Sequence, residues 1–315
     1  MSIFTFLLLK EVFTMFDVTK LQGVFAPIVT PFNEKEEILY DDIAYNIDIY
    51  NNTKLRGYMP LGSNGEFQGL TDEESVKVLK TVYKHKQKDR IIVGGCGRES
   101  AYKTIEFIKR VAEYGLDLAF ILPPHYFLSK MTEEVLLEYY IKVADESPIP
   151  IVVYNAPKFS AGLNLSPDLI SKLAKHSNII AIKNSSDTPN SEYIKATSGL
   201  DFYIIAGNIK TFYQGLCDGA VGGVLSTASI FPEYCCTLYE FFRAGDLESA
   251  KNLHSFLYNT SINTVGSLGV SGVKACMTIR GLRGGHVRLP LKDVTDQEFD
   301  NIKSWFVKEG IEKLL

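Results

Sequence analysis

The stretch IPIVVYNAPKFSAGLNLSPDLISKLAKHSNIIAIKN (149–184) holds two apolar runs separated by one amphipathic segment. The runs IPIVVYNA (149–156) and NIIAIKN (178–184) are apolar at consecutive positions, which is typical of strands covered on both faces. Between them, SPDLISKLAKHS (166–177) has the spacing of an amphipathic helix. The stretch therefore predicts a strand, a helix and a second strand of one parallel sheet.

The same alternation runs through most of the chain. Further apolar runs predict strands at 21–30, 56–62, 90–95, 116–124, 201–207 and 219–226, with amphipathic helices at 71–87, 100–115 and 131–147. The helix at 71–87 opens with a threonine N-cap and a glutamate at the capping-box position. Eight such strands within about 210 residues favour a (β/α)₈ TIM barrel. An open, doubly wound sheet built from the same units is the alternative.

Both ends of the chain differ from this repeat. After residue 226 the sequence predicts helices only, in PEYCCTLYEFFRAG, DLESAKNLHSFLYNTSIN and QEFDNIKSWFVKEGIEKLL. We therefore expect the barrel at 15–243 and a C-terminal helical region packed on it at 244–315. Residues 1–14 have a short apolar run without a basic start or a cleavage site, too short to span a membrane. We interpret them as an extension before a natural start at Met15.

Composition narrows the class of ligand. The chain is 46% hydrophobic and 22% charged, which fits a globular protein and excludes a disordered one. Its net charge of -4, with dispersed basic residues, predicts neither nucleic acid nor an anionic membrane as partner. Five cysteines without a CxxC pair, and no histidines at ligand spacing, predict reduced thiols in a cytoplasmic protein and no metal site.

Lys183 is an anomaly in the sixth predicted strand, because ionised lysine is costly to bury. It stands near the end of the strand, where TIM barrels hold their active sites. Burial disfavours the ammonium form, and a neutral amine attacks carbonyl groups to give a Schiff base. The alternative is a structural lysine that reaches the rim and pairs with a carboxylate.

Two further segments end at the same predicted rim. Tyr154 closes the fifth strand and can act as the proton shuttle that imine chemistry needs, although packing alone is the commoner role of such a tyrosine. GSNGE (62–66) follows the second strand, where glycines and backbone N–H groups suit a carboxylate. By itself GSNGE also fits a plain tight turn.

Taken in order, five motifs resemble the dihydrodipicolinate synthase/N-acetylneuraminate lyase family of class I aldolases. They are GSNGE (62–66), PPHYF (123–127), YNAP (154–157), IAIKNSS (180–186) and GAVGGVLS (219–226). The resemblance runs from about residue 20 to the end. It implies a TIM barrel with a C-terminal helical region, a homotetramer, and pyruvate bound as an imine without metal or organic cofactor.

The resemblance also implies roles for particular residues. Lys183 matches the imine lysine and Tyr154 the proton-relay tyrosine. Ser63 matches a relay hydroxyl, and Tyr126 matches a tyrosine that reaches into the site of a neighbouring subunit.

The expected substrate-binding residues lie on three loops. The GSNGE backbone around Gly62, Ser63 and Asn64 matches the cradle of the pyruvate carboxylate. Gly207 and Leu225 fall near positions that line the pocket.

Two departures bear on the substrate. Where dihydrodipicolinate synthases carry an arginine that grips the carboxylate of the aldehyde, YNAPKFSAG has Phe159. The neighbouring Lys158 offers only a point charge. Asn64 replaces a threonine, a form that looks more like 4-hydroxy-2-oxoglutarate aldolases.

The leading hypothesis is a Schiff-base aldolase or lyase that joins pyruvate to a small aldehyde, or cleaves a small 2-oxo acid to give pyruvate. The alternative is 4-hydroxy-tetrahydrodipicolinate synthase, which uses pyruvate and aspartate semialdehyde. A sugar-acid dehydratase working through the same imine and a non-catalytic binder of 2-oxo acids are also kept.

Overall fold

Eight parallel strands close into a barrel in chain order. The computed structural model describes residues 16–314, so the expected extension at 1–14 lies outside the described residues. Each strand pairs with its sequence neighbours, and β1 pairs with β8. The strands are Gly23–Pro27 (β1), Gly57–Met59 (β2), Ile91–Gly95 (β3), Leu118–Ile121 (β4), Ile151–Asn155 (β5), Ile179–Asn184 (β6), Tyr203–Ala206 (β7) and Gly222–Val224 (β8). The predicted TIM barrel is confirmed, and closure excludes the open sheet.

Eleven α-helices accompany the strands in residues 16–314. Eight follow the strands in turn: Tyr40–Tyr50 (α1), Asp72–His85 (α2), Ala101–Ala112 (α3), Glu133–Glu146 (α4), Pro167–Leu173 (α5), Asn190–Ala196 (α6), Phe212–Asp218 (α7) and Pro232–Ala244 (α8). Three more follow at the C-terminus: Leu247–Thr264 (α9), Gly269–Ile279 (α10) and Asp296–Lys308 (α11). The C-terminal helices share the core of the barrel, to which they contribute Leu257, Val273 and Phe306.

The start of α2 forms as its sequence predicts. The Thr71 hydroxyl accepts from the Glu74 N–H at 3.1 Å, and Glu74 Oε2 accepts from the Thr71 N–H at 2.9 Å. This capping box satisfies two backbone donors that the first turn would otherwise leave free. The Glu74 carboxylate also binds the guanidinium of Arg288, so the cap of α2 is tied to the C-terminal segment.

The strands are shorter than the apolar runs that predict them. β1 ends at Pro27, although Ile28 and Val29 are also buried. Apolar residues beyond a strand end line the rim loops, so hydrophobicity alone does not mark where the ladder stops. Helix α10 follows no amphipathic pattern, because it is buried over most of its length and contains glycine.

No helix in the part of the chain that the structure describes is long and apolar enough to cross a membrane.

Candidate active site

A cavity of about 540 Å³ opens at the carboxyl ends of the strands. Its walls include Lys183 from β6, Tyr154 from β5, and Gly207 just after β7. Gly62, Ser63 and Asn64 line it from the loop after β2. The structure thus brings together six of the eight residues singled out from the sequence, in what we call the catalytic cavity.

Lys183 is buried, with 4% of its surface exposed. Its Nζ lies 3.6 Å from Met59 Sδ and 4.1 Å from the centroid of the Tyr154 ring. Among residues 16–314 no carboxylate forms an ion pair with this amine. Burial therefore lowers the pKa of Lys183, and the neighbouring Tyr154 offsets only part of that shift.

The pairing of β5 with β6 sets Tyr154 beside Lys183. The two residues are direct partners in the parallel register. Because side chains of paired residues leave the sheet on the same face, both reach the barrel interior at the same level. Tyr154 is buried and its ring faces the amine.

The GSNGE segment forms a tight cradle rather than a plain turn. Ser63–Gly65 make one turn of 3₁₀ helix, and Glu66 then adopts the left-handed conformation with φ of 52°. Ser63 Oγ and Asn64 Nδ2 are buried without a hydrogen-bond partner within 16–314. Buried polar groups are normally paired, so these two atoms are left available to a polar ligand.

An ion pair behind the cradle holds Glu66 in place. Lys274 of α10 donates to Glu66 Oε1 at 2.5 Å, to Thr30 O at 2.7 Å and to His286 O at 2.6 Å. Glu66 Oε2 accepts from the Arg288 N–H at 2.9 Å. Every donor of the Lys274 ammonium is therefore used.

The two residues expected near the pocket on β7 and β8 differ in position. Gly207 lines the catalytic cavity, and a side chain there would meet Ser185 Oγ at 1.9 Å and Asn184 O at 2.6 Å. Leu225 lies in the core, fully buried, instead of in the cavity wall. Its neighbour Ser226 lines the cavity and donates to Asn64 Oδ1 at 3.3 Å. The family resemblance placed Leu225 near the pocket, whereas the structure places the next residue, Ser226, in the wall.

Tyr126 is not part of the cavity of its own chain. It is 78% exposed, and its ring packs edge-on against Phe127. Its backbone N–H donates to Glu99 Oε2 at 2.8 Å, which holds the loop after β4.

The two departures noted in the sequence, Phe159 and Asn64, both line the cavity. Lys158 lines it as well, and Phe159 is 43% exposed. Asn184 turns its amide away, donating to Thr188 O and Asn190 Oδ1 at 2.8 and 3.0 Å. Because a carboxamide is neutral, Asn184 adds no charge beside Lys183.

Sequence reasoning missed three contributors. Met59 contacts the Lys183 amine, Ser226 bonds the cradle, and Lys274 anchors it. The one usable signal was Lys274, a single lysine inside an apolar segment. Within 16–314 no group of three or more His, Cys, Asp or Glu side chains is placed to hold a metal ion.

The sequence profile of the Dihydrodipicolinate synthetase family matches residues 20–308. The chain belongs to this family. It is 31% identical to a 4-hydroxy-tetrahydrodipicolinate synthase of Methanothrix thermoacetophila over 91% of this chain and 96% of that protein. It is also 31% identical to the Emericella nidulans protein named "Probable 4-hydroxy-2-oxoglutarate aldolase, mitochondrial", over 92% of this chain and 95% of that protein.

Solved structures agree with the family membership. YagE, a member of the dihydrodipicolinic acid synthase family from E. coli K12 solved with pyruvate, superposes with a TM-score of 0.85 at 25% identity. The match covers 92% of this chain and 99% of YagE. As a member of the Dihydrodipicolinate synthetase family with relatives named synthases and aldolases, the chain is an enzyme of the lyase and aldolase class.

Proposed function

We propose that this family member is a pyruvate-dependent Schiff-base aldolase in which Lys183 forms the imine. The observation that carries the proposal is a buried amine with no anionic partner in the described chain, at the end of a barrel strand and against the ring of Tyr154. An amine whose pKa is lowered by burial is neutral at lower pH than an ordinary lysine. It is therefore available as a nucleophile.

The bond changes follow from that amine. Lys183 Nζ attacks C2 of pyruvate, and loss of water gives a protonated imine. The imine withdraws electrons, so C3 loses a proton and an enamine forms. The enamine carbon then attacks the carbonyl carbon of an aldehyde, whose oxygen takes up a proton. Water cleaves the imine and releases a 4-hydroxy-2-oxo acid; cleavage of a 2-oxo acid is the reverse. The imine serves as electron sink, so the proposal assigns no step to a metal or cofactor.

The neighbouring groups have matching roles in the proposal. Tyr154 moves protons to and from the reacting atoms, as its ring contact with Lys183 suggests. The free Ser63 hydroxyl and the backbone N–H groups of Ser63 and Asn64 bind the pyruvate carboxylate. Gly62 and Gly207 leave room for it, since both line the cavity without a side chain.

Tyr126 enters the proposal through a second subunit. Its exposure and its distance from the cavity of its own chain fit a side chain that completes the site of a neighbour. We therefore include a homo-oligomer, a homotetramer by family resemblance, with Tyr126 at the contact. Mass photometry of wild type and Tyr126→Ala tests the assembly.

4-Hydroxy-tetrahydrodipicolinate synthase is the second candidate, because several relatives carry that name. The side chain of Phe159 argues against this candidate. A phenyl ring cannot donate hydrogen bonds to the carboxylate of aspartate semialdehyde, and Lys158 lacks the planar fork of a guanidinium. Supply of pyruvate with aspartate semialdehyde, followed by detection of the cyclic product, tests this candidate.

The decisive experiment is reduction with borohydride in the presence of pyruvate, followed by intact-protein mass spectrometry. We expect wild type to gain the mass of one pyruvate less one oxygen atom, and Lys183→Ala to gain nothing. Lys210→Ala is the matched control, because Lys210 lines the same cavity but pairs with Asp187 at 3.2 Å. It should keep the adduct.

Absence of an adduct on wild type would overturn the proposal. An adduct that persists in Lys183→Ala but disappears in Lys210→Ala would show that Lys210 forms the imine, and would overturn the assignment to Lys183.

A further inference from the structure

A second cavity adjoins the catalytic one. It has a volume of about 580 Å³ and lies between the loop after β2, the start of α10 and the segment 288–291. Seven residues line both cavities: Ser63, Asn64, Lys158, Phe159, Ser226, Val265 and Gly266. A ligand attached at Lys183 can therefore extend into this second space, which we call the distal cavity.

The distal cavity is lined mainly by hydrocarbon. Its apolar walls include Phe67, Leu268, Val270, Val273, Leu289 and Leu291. Leu289 and Leu291 are 68% and 42% exposed, more than such side chains are in a closed core. Covering them with an apolar ligand is favourable, because apolar surface leaves water.

Of the three charged residues that line this cavity, Glu66, Lys158 and Arg288, the first and the last are already engaged. Glu66 accepts from Lys274 and from the Arg288 N–H. The Arg288 guanidinium binds both oxygens of Glu74 at 2.9 and 3.0 Å and donates to Gly69 O at 2.7 Å. An anionic ligand would have to break these bonds to reach the arginine.

Phe159 stands where the two cavities meet. The adjacent Lys158 is exposed, and a hydrated ammonium discriminates weakly in favour of a carboxylate. The junction therefore presents an aromatic face to whatever is bonded to the enamine carbon.

We propose that the distal cavity binds an uncharged, apolar substituent of the acceptor aldehyde, with Phe159 as a specificity-determining residue. The inference rests on the proposed aldolase function and names its substrate class: a 2-oxo acid whose end remote from the carboxylate is aliphatic or aromatic. In the aldol step the enamine carbon bonds to the aldehyde carbon, the carbonyl oxygen gains a proton, and the substituent of that carbon occupies the distal cavity.

A series of aldehydes tests the substrate class. With pyruvate as donor, kcat/KM is measured for glyoxylate, aspartate semialdehyde, propanal, hexanal and benzaldehyde. We expect hexanal and benzaldehyde to exceed both carboxylated aldehydes. From propanal to hexanal, kcat/KM should rise by up to about fourfold for each added methylene, which is the free energy of burying one such group.

Variants of the lining residues test whether the preference for apolar aldehydes arises in the distal cavity. Phe159→Arg should favour the carboxylated aldehydes, and Leu291→Asn should flatten the rise from propanal to hexanal. Leu200→Asn is the matched control, because Leu200 is a leucine of similar exposure, 36%, outside both cavities. It should leave the series unchanged.

The outcomes separate this inference from the aldolase proposal, because borohydride trapping of pyruvate needs no acceptor. An adduct on Lys183 together with higher kcat/KM for glyoxylate or aspartate semialdehyde would overturn the inference alone. No adduct would overturn both. If Leu291→Asn changes the oligomeric state in light scattering but not the aldehyde preference, the cavity is a subunit contact and the inference is wrong.

Discussion

Two buried lysines of this chain lie in opposite surroundings. Lys274 is 2% exposed and uses its three donors on one carboxylate and two carbonyl groups. Lys183 is 4% exposed and has a thioether and an aromatic ring as its nearest partners. Burial lowers the pKa of both amines, and for Lys274 the carboxylate of Glu66 opposes that shift.

The difference teaches how to tell an architectural cation from a reactive amine. A buried ammonium that satisfies all its donors stabilises the segments it joins. A buried amine with weak partners is stabilised in its neutral form, which is the form that attacks carbonyls. Replacing each lysine should therefore affect different properties of the enzyme.

The largest expected effect is on catalysis at Lys183. Lys183→Met should lower the rate of hydrogen exchange at C3 of pyruvate in D₂O by at least about 10⁴-fold, because the enamine cannot form without the imine. Proton NMR of pyruvate measures that rate without any acceptor. Lys210→Met serves as control and should exchange at the wild-type rate. Hydrogen exchange at the wild-type rate in Lys183→Met would show that Lys183 is not the reactive amine, and that it does not differ from Lys274 in this respect.

Tyr154→Phe removes the hydroxyl to which we assign the proton transfers. We expect exchange at C3 to fall by about 10²- to 10⁴-fold, the usual contribution of a positioned acid or base. Borohydride should still trap pyruvate on Lys183 after long incubation, because the nucleophile remains. Wild-type exchange in this variant would assign the proton transfer to another group, with Ser63→Ala as the next variant to measure.

Lys274→Met should destabilise the fold. It leaves the carboxylate of Glu66 buried without its cation, which costs about 3–5 kcal/mol of unfolding free energy. Urea denaturation followed by circular dichroism measures the loss. The double variant Lys274→Met/Glu66→Leu removes both charges and should recover much of it. Equal stability of Lys274→Met and wild type would show that the pair is not needed for the fold.

The smallest expected effect is that of Lys183→Met on stability. Its sign is opposite to that of Lys274→Met, because removing Lys183 should stabilise the fold. Because the pKa of Lys183 is lowered in the folded protein, the unfolded chain binds more protons between the folded and the ordinary lysine pKa. Wild-type stability therefore rises with pH through that window. Below the folded pKa of Lys183, the folded protein bears the full cost of burying the protonated amine. We expect Lys183→Met to be more stable than wild type at low pH, with a gain that vanishes as pH approaches the ordinary value. Urea midpoints at several pH values test this; a constant difference contradicts it.

The barrel could be predicted from the sequence because its strands are continuous apolar runs with helices between them. Lys183 could be singled out because it breaks such a run. The conformation of the GSNGE loop could be predicted from the sequence only in part. GSNGE indicates a tight turn, but the side chain of its left-handed Glu66 binds Lys274, which is distant in sequence. Helix α10 carries glycine at Gly269 and Gly272 and has apolar residues on most faces, so neither helix propensity nor periodicity marks it.

The bond between Lys274 and Glu66 joins residues separated by 208 positions. All eight strands and the GSNGE loop leave the ribosome before residue 274 does. Until α10 has been synthesised and docked, the Glu66 carboxylate lacks the cation that it binds in the folded protein. The ion pair behind the GSNGE loop therefore forms only when the C-terminal helices are in place, and a chain that stops short of α10 would carry Lys183 at its strand end without that support beside it.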